Sequence, residues 1–225
     1  MKALDWHKFL EAQRKLHGKV LFRVAELANV AGRDPHALNV ELGRLVRQEV
    51  IARYATGVYG LPGQVTPEQL VPVLDAGAYI TGMFALHHHN LITQTPTEII
   101  CLTNRRHNRS RQRITPLGKI VFVCASPGIY RKPVEGVLAP PEQAFCDFVH
   151  AARRNGLEPR SLVTFRNLGA ISKQRLSSAL KRYPPTVQEA VRQIILQPDD
   201  GQRQHLARHS RHSPARVRTR RIEGT

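Results

Sequence analysis

Over roughly the first sixty residues, apolar positions recur at helical spacing in three successive runs and then alternate. That order predicts helix, helix, helix and a short hairpin. Trp6, Phe9, Leu10, Gln13 and Leu16 trace one face of the first helix. Val24, Leu27, Ala28 and Ala31 trace the second, with Gly32 placed to cap its C-terminus. Asp34 and Pro35 open the third: the Asp carboxylate accepts from free backbone donors, and Pro at the first helical position loses nothing by lacking an N–H.

In this third helix Leu38, Leu42, Leu45 and Val46 fall on about one third of the wheel and must face a core. The other side then carries His36, Val40, Gly43, Arg44 and Arg47, with Asn39 at its edge. An amide, guanidinium groups, a methyl surface and a glycine that permits close approach are the inventory needed to read base edges and hold phosphates. Ile51 to Leu61 follow with Thr56-Gly57 at the centre, which predicts two strands and a turn shaped like a wing. Arg53, Tyr54 and Thr56 are its candidates for backbone or minor-groove contact. Together these features predict a winged helix-turn-helix over residues 1–63, reading double-stranded DNA.

Pro62-Gly63 reads as a linker, and Thr66 with Gln69 has the spacing of a capping box at a new helix start. The pattern of residues 64–197 is mixed. It predicts a helix from Tyr79 to His89, strands at Glu98 to Thr103 and Lys119 to Ala125, a helix from Pro140 to Asn155 closed by Gly156, and helices over Ser172 to Tyr183 and Thr186 to Gln197. The fold class expected is therefore α+β. Between the two strands the run NRRHNRSRQR reads as a hairpin connection, basic enough to form a second nucleic-acid surface through Arg105, Arg106, Arg109, Arg111 and Arg113. Residues 198–225 are polar, Arg-rich and His-rich, and they predict a disordered basic tail.

Charge sharpens this picture. Lys and Arg number 34 against 17 Asp and Glu, a net +17 with a pI near 10.8. Such an excess favours a polyanionic partner, because each neutralised phosphate releases a counterion. No stretch reaches the ~18 apolar residues of a membrane span, and no signal-peptide core is evident, so a cytoplasmic location without membrane association is expected. Cys101, Cys124 and Cys146 sit singly in apolar runs and read as buried free thiols suited to a reducing compartment.

Catalytic chemistry finds little support in these residues. The chain lacks a nucleophile elbow, a phosphate-cradling glycine loop and a CxxC pair. Consecutive side chains on a helix diverge by about 100 degrees, so His87, His88 and His89 do not chelate one ion together. Asp147 and His150 share a helix face without a metal-site motif. A nuclease built from Glu98, Asp147 and Lys119 is the enzymatic alternative, against a plainer account of Glu98 and Lys119 as surface charges. The expectation is a protein without catalytic residues, metal or cofactor.

The winged-helix segment, followed by AGAYITGMFALHHHNLITQTPTEIICLT and PPEQAFCDFVHAARRNGL, resembles the AbiEi antitoxins of bacterial type IV toxin-antitoxin systems over most of residues 18–197. Tyr79, Ile80, Thr81, Gly82, Ala85, Leu86, His87, Leu91, Thr93 and Pro96 fill the places of that family's helix-to-strand pattern. Asn90 stands where the family usually has glycine, and Asn tolerates the left-handed backbone of a helix end. The resemblance implies a repressor that binds inverted repeats in its own operon. It also implies a C-terminal antitoxin domain that counteracts a nucleotidyltransferase toxin without forming a stable complex with it. A nucleic-acid-binding module without an associated toxin is the third reading.

Overall fold

The computed structural model describes residues 2–107 and 111–196. Arg109 and the expected tail at 198–225 lie outside the described residues. The chain is mixed α and β. Helix α1 (Ala3–His17) leads to strand β1 (Leu21–Arg23), then α2 (Val24–Ala31), α3 (Pro35–Arg47), and strands β2 (Ala52–Ala55) and β3 (Val58–Gly60). Then come α4 (Pro67–Leu74), β4 (Tyr79–Thr81), α5 (Gly82–His88), β5 (Glu98–Thr103), β6 (Gln112–Thr115), β7 (Gly118–Cys124), α6 (Pro141–Arg154), α7 (Pro159–Leu162), α8 (Lys173–Leu180) and α9 (Pro185–Leu196).

Local chemistry explains the boundaries. Gly32 closes α2 in the left-handed conformation. One Asp34 carboxylate oxygen accepts from the backbone N–H of His36 at 2.9 Å and of Ala37 at 3.4 Å, satisfying donors that a helix start leaves free. Gln69 Oε1 accepts from the Thr66 backbone N–H at 2.9 Å, one half of a capping box. Asn90, at the end of α5, adopts φ 60°, the left-handed geometry expected for that position.

Two sheets organise the core. The first is antiparallel in the order β1-β3-β2, with Leu21 opposite Gly60 and Ala52 on its other side. Gly60 is required there: a Cβ would strike the Val20 carbonyl oxygen, so a larger residue would push β1 away from β3. The second sheet runs β4-β5-β7-β6; β5 and β7 are parallel, with antiparallel strands on both edges.

Three apolar clusters fill the interior. Trp6, Leu10, Phe22, Leu27, Leu38, Leu42, Leu45 and Tyr59 pack α1, α2 and α3 on one face of the first sheet. Alternation along the strands sends Tyr54 and Val58 to the opposite face, where they join Leu70, Ile80, Ile99, Ile120 and Phe122 of the following elements. The first sheet is thus apolar on both faces and joins the two halves of the chain. The third cluster gathers α5, α6, α8 and α9 around Phe145, Val149, Phe165 and Val191.

Several expectations are corrected. Leu16 is 75% exposed, beyond the reach of the helices that bury Trp6 and Leu10. Strand β1 was not anticipated; three residues are too few to show alternation. Tyr79–Thr81 form a strand rather than the start of α5, because they pair with β5. The basic run does not bridge a hairpin, since β5 and β7 are parallel and the hairpin is β6–β7. The described residues of the run follow β5 and enter the edge strand β6, whose four positions, two exposed, one half-buried and one buried, are too few to reveal it. Cys101 and Cys146 are buried free thiols, but Cys124 is exposed at the end of β7. No helix among the described residues is long and apolar enough to cross a membrane.

Asp147 of α6 lies at the centre of this packing. Its carboxylate accepts from Tyr183 Oη at 2.7 Å, Thr81 Oγ1 at 2.8 Å and Tyr79 Oη at 3.2 Å. Burial pushes its carboxyl up to about 6 against the pull of those hydroxyls. With the folded value above the ordinary 3.8, the folded state binds the extra proton in between. Stability is then greatest below pH ~4 and falls as pH rises through about 6, by on the order of 3 kcal/mol in all. Asp147→Asn should remove this slope, read as the difference between wild-type and variant unfolding free energies in urea from pH 4 to 7. Parallel profiles would show that Asp147 does not titrate there.

Candidate nucleic-acid interface

Helix α3 presents two faces with opposite fates. Leu38, Leu42 and Leu45 are fully buried, and Val46 is half-buried. His36, Asn39, Val40, Arg44 and Arg47 are exposed, with Val40 76% accessible. Gly43 lies on the same outer face, half-buried, and a Cβ there would meet nothing within 4 Å. Nothing inside the protein therefore demands a glycine, although glycine in a helix interior costs about 0.5–1 kcal/mol relative to alanine.

A buried carboxylate fixes the orientation of α3. Glu41 is 7% exposed although it lies within the leucine stripe. Its Oε1 accepts from Trp6 Nε1 at 2.8 Å, and its Oε2 accepts from Arg33 Nη1 at 2.7 Å. The indole ties α1 to α3, and the guanidinium ties the turn before α3 to the same acid. Charge-assisted bonds of this kind are stronger and more directional than neutral ones. The signal for Glu41 in the sequence is slight: an acid three residues after Leu38, within the leucine stripe.

In the β2–β3 hairpin, Arg53 and Thr56 are exposed, and Gly57 takes φ 69° at the turn. Arg53 Nε also reaches the Ala55 carbonyl at 3.4 Å, and the strand carries an irregularity between these residues. Tyr54 is a correction. It is 1% exposed and donates its hydroxyl to the Leu61 carbonyl at 2.9 Å, so it serves the core between the two sheets rather than the outer surface of the hairpin.

The basic run is held at its root. Asp75, buried after α4, accepts from Thr103 Oγ1 at 2.6 Å and from the Gly77 N–H at 2.8 Å, with His107 Nε2 at 2.8 Å. Burial pushes the Asp75 carboxyl up, but the bonds from Thr103, His107 and Gly77 outweigh it and hold the group below its ordinary value. The His107 ring stacks on Phe122 with centroids 4.8 Å apart. Arg105 and Arg106 project as exposed residues from this anchored segment, and Arg111 is exposed on its far side. Arg113 differs: it is half-buried with its guanidinium 5.8 Å from the Phe122 ring centre.

The residues of the enzymatic alternative are engaged elsewhere. Glu98 pairs with Lys119 at 3.1 Å across β5 and β7, whereas Asp147 is enclosed by three hydroxyls. His89 Nε2 contacts the Ala139 carbonyl at 2.7 Å, while His87 and His88 are exposed. Among the described residues no group of three or more His, Cys, Asp or Glu is placed to hold a metal ion. The chain matches no protein-family model, and no curated protein matches it significantly.

Replacing Glu41 by Ala leaves the Trp6 indole N–H buried and unpaired, and should lower stability by about 1–3 kcal/mol. Glu41→Gln keeps an acceptor for Trp6 and should cost less. Urea unfolding of both variants measures the difference; equal losses would show that the charge, not the Trp6 bond, carries the contribution.

Proposed function

We propose that the protein is a DNA-binding transcriptional regulator that lays the outer face of α3 in the major groove, with β2–β3 as the wing of a winged helix-turn-helix. In this reading Asn39 and Arg44 reach base edges, Arg47 and His36 grip the backbone, Val40 supplies apolar contact and Gly43 allows close approach. Arg53 and Thr56 touch the flanking backbone or minor groove. Residues 1–63 would form this DNA-binding unit and residues 64–197 a mixed α/β antitoxin-like domain, in the cytoplasm of a bacterium. The observation that carries the reading is the outer face of α3: exposed cations beside a mid-helix glycine that the fold does not require.

The resemblance to the AbiEi antitoxins extends this to autorepression at inverted repeats and to counteraction of a nucleotidyltransferase toxin without a stable complex. Arg105, Arg106 and Arg111 would add a second nucleic-acid surface, anchored through His107 and Asp75. No catalytic turnover is part of the proposal.

Gel shifts on the DNA upstream of the chain's own coding sequence test it. Arg44→Ala and Asn39→Ala should each weaken specific binding by ~1–3 kcal/mol, whereas Tyr54→Phe should leave affinity unchanged. Gly43→Ala should raise helix stability by about 0.5–1 kcal/mol and still weaken DNA binding, a combination that a purely structural role does not produce. Full affinity in the Arg44, Asn39 and Gly43 variants would remove α3 from the interface. Growth rescue from a co-expressed nucleotidyltransferase toxin tests the antitoxin half separately.

A further inference from the structure

Helices α8 and α9 enclose a groove that DNA binding does not use. Its volume is about 770 Å³, within the ~300–1,000 Å³ of small-molecule sites. Leu176 and Leu180 of α8, Val191 and Ile195 of α9, and Leu168 and Ile171 before α8 line it. Five of these six are almost wholly buried, so the apolar floor is recessed below its rim. Lys173, Lys181 and Arg192 also line it and are exposed. Arg192 approaches Glu189 at 3.6 Å, whereas Lys173 and Lys181 have no carboxylate partner among the described residues. Ser177 adds a hydroxyl, whereas the Gln188 amide donates to the Tyr183 carbonyl at 2.9 Å and accepts from Arg192 at 3.4 Å.

We propose that this groove binds a small anionic amphiphile free in solution, an apolar chain or ring ended by a carboxylate or similar acid. The recessed floor suits a slender apolar body better than a broad protein surface, and the cationic rim suits an acidic head. From Lys173 to Lys181 the helix rises about 12 Å, close to an extended ten-carbon chain, so a tail along the floor ends beside one lysine or the other. The same charge argues against the other occupants. Residues 197–225 of the chain carry seven arginines against three acids, which would set cations against cations. A two-fold contact between copies would bring each lysine-bearing rim onto its own equivalent. The site does not depend on the DNA-binding reading, because α3 contributes nothing to it.

Calorimetric titration of the full chain with decanoate, decanol and decylammonium, each below its self-association concentration, tests the proposal. Decanoate should bind one per chain, and decylammonium at least about ten-fold more weakly. Replacing Lys173 and Lys181 together by Gln should weaken decanoate about five-fold or more and leave decanol unchanged; both side chains are exposed, so folding is not at stake. Ser177→Trp, from an exposed position on α8, should fill the groove and abolish binding, with an unchanged circular dichroism spectrum as its folding control. No saturable binding, as expected if the C-terminal residues or a second copy already fill the groove, would overturn the proposal. So would equal affinity for decanoate and decylammonium, full affinity in Ser177→Trp, or association only with anionic lipid vesicles.

Discussion

The leucine stripe of α3 is the constraint on which the first half of the molecule depends. Leu38, Leu42 and Leu45 all lie under α1, α2 and the first sheet, and rotating the helix by one residue would carry each of them about 100 degrees toward solvent. Burial of one such side chain is worth about 1.5–3 kcal/mol, so three together fix the azimuth of the helix far more firmly than any surface contact could. The make-up of the outer face follows from that. Val40, Arg44 and Arg47 are outside because no place remains for them inside, and Glu41 locks the same rotation through Trp6 and Arg33.

The second constraint is that the first sheet is buried on both faces. A hairpin that stood alone would offer every second side chain to solvent. Here Tyr59 goes to the helices, while Tyr54 and Val58 go to the second sheet. The hairpin can therefore reach outward only through its tip and edge, which is why Arg53 and Thr56 remain available and Tyr54 does not.

Legibility in the sequence followed the length and regularity of each pattern. The capped start of α3, its leucine stripe, the turn at Gly57 and the long helix α6 could be read because each carries a periodic run or a residue with a specific backbone preference. Strands β1 and β4 have three residues each, too short for a period, and both exist because a partner strand supplies their hydrogen bonds. The edge strand β6 buries only Thr115 of its four residues, so burial left little mark on its composition. The parallel pairing of β5 with β7 is a property of topology that local pattern does not carry. Glu41, Asp75 and Asp147 were invisible as interior groups for a related reason: their partners stand at least 28 residues away, apart from Arg33 and the Gly77 N–H.

Where those acids went bears on what the surface can bind. Among the described residues the buried carboxyl side chains are Glu41, Asp75, Glu142 and Asp147, and no lysine or arginine is buried with them. Three of them are enclosed by donors: Trp6 and Arg33 for Glu41, Thr103 and Gly77 for Asp75, three hydroxyls for Asp147; Glu142 accepts from the Ser172 N–H on Oε1, while its Oε2 is buried without a hydrogen-bond partner among the described residues. The fold withdraws carboxylates into its joints and leaves the cations outside. The exposed surface therefore carries fewer acids per base than the ratio of 34 bases to 17 acids implies. Because desolvating a carboxylate is costly unless donors surround it, the excess of exposed cations follows from how the joints are built as well as from composition.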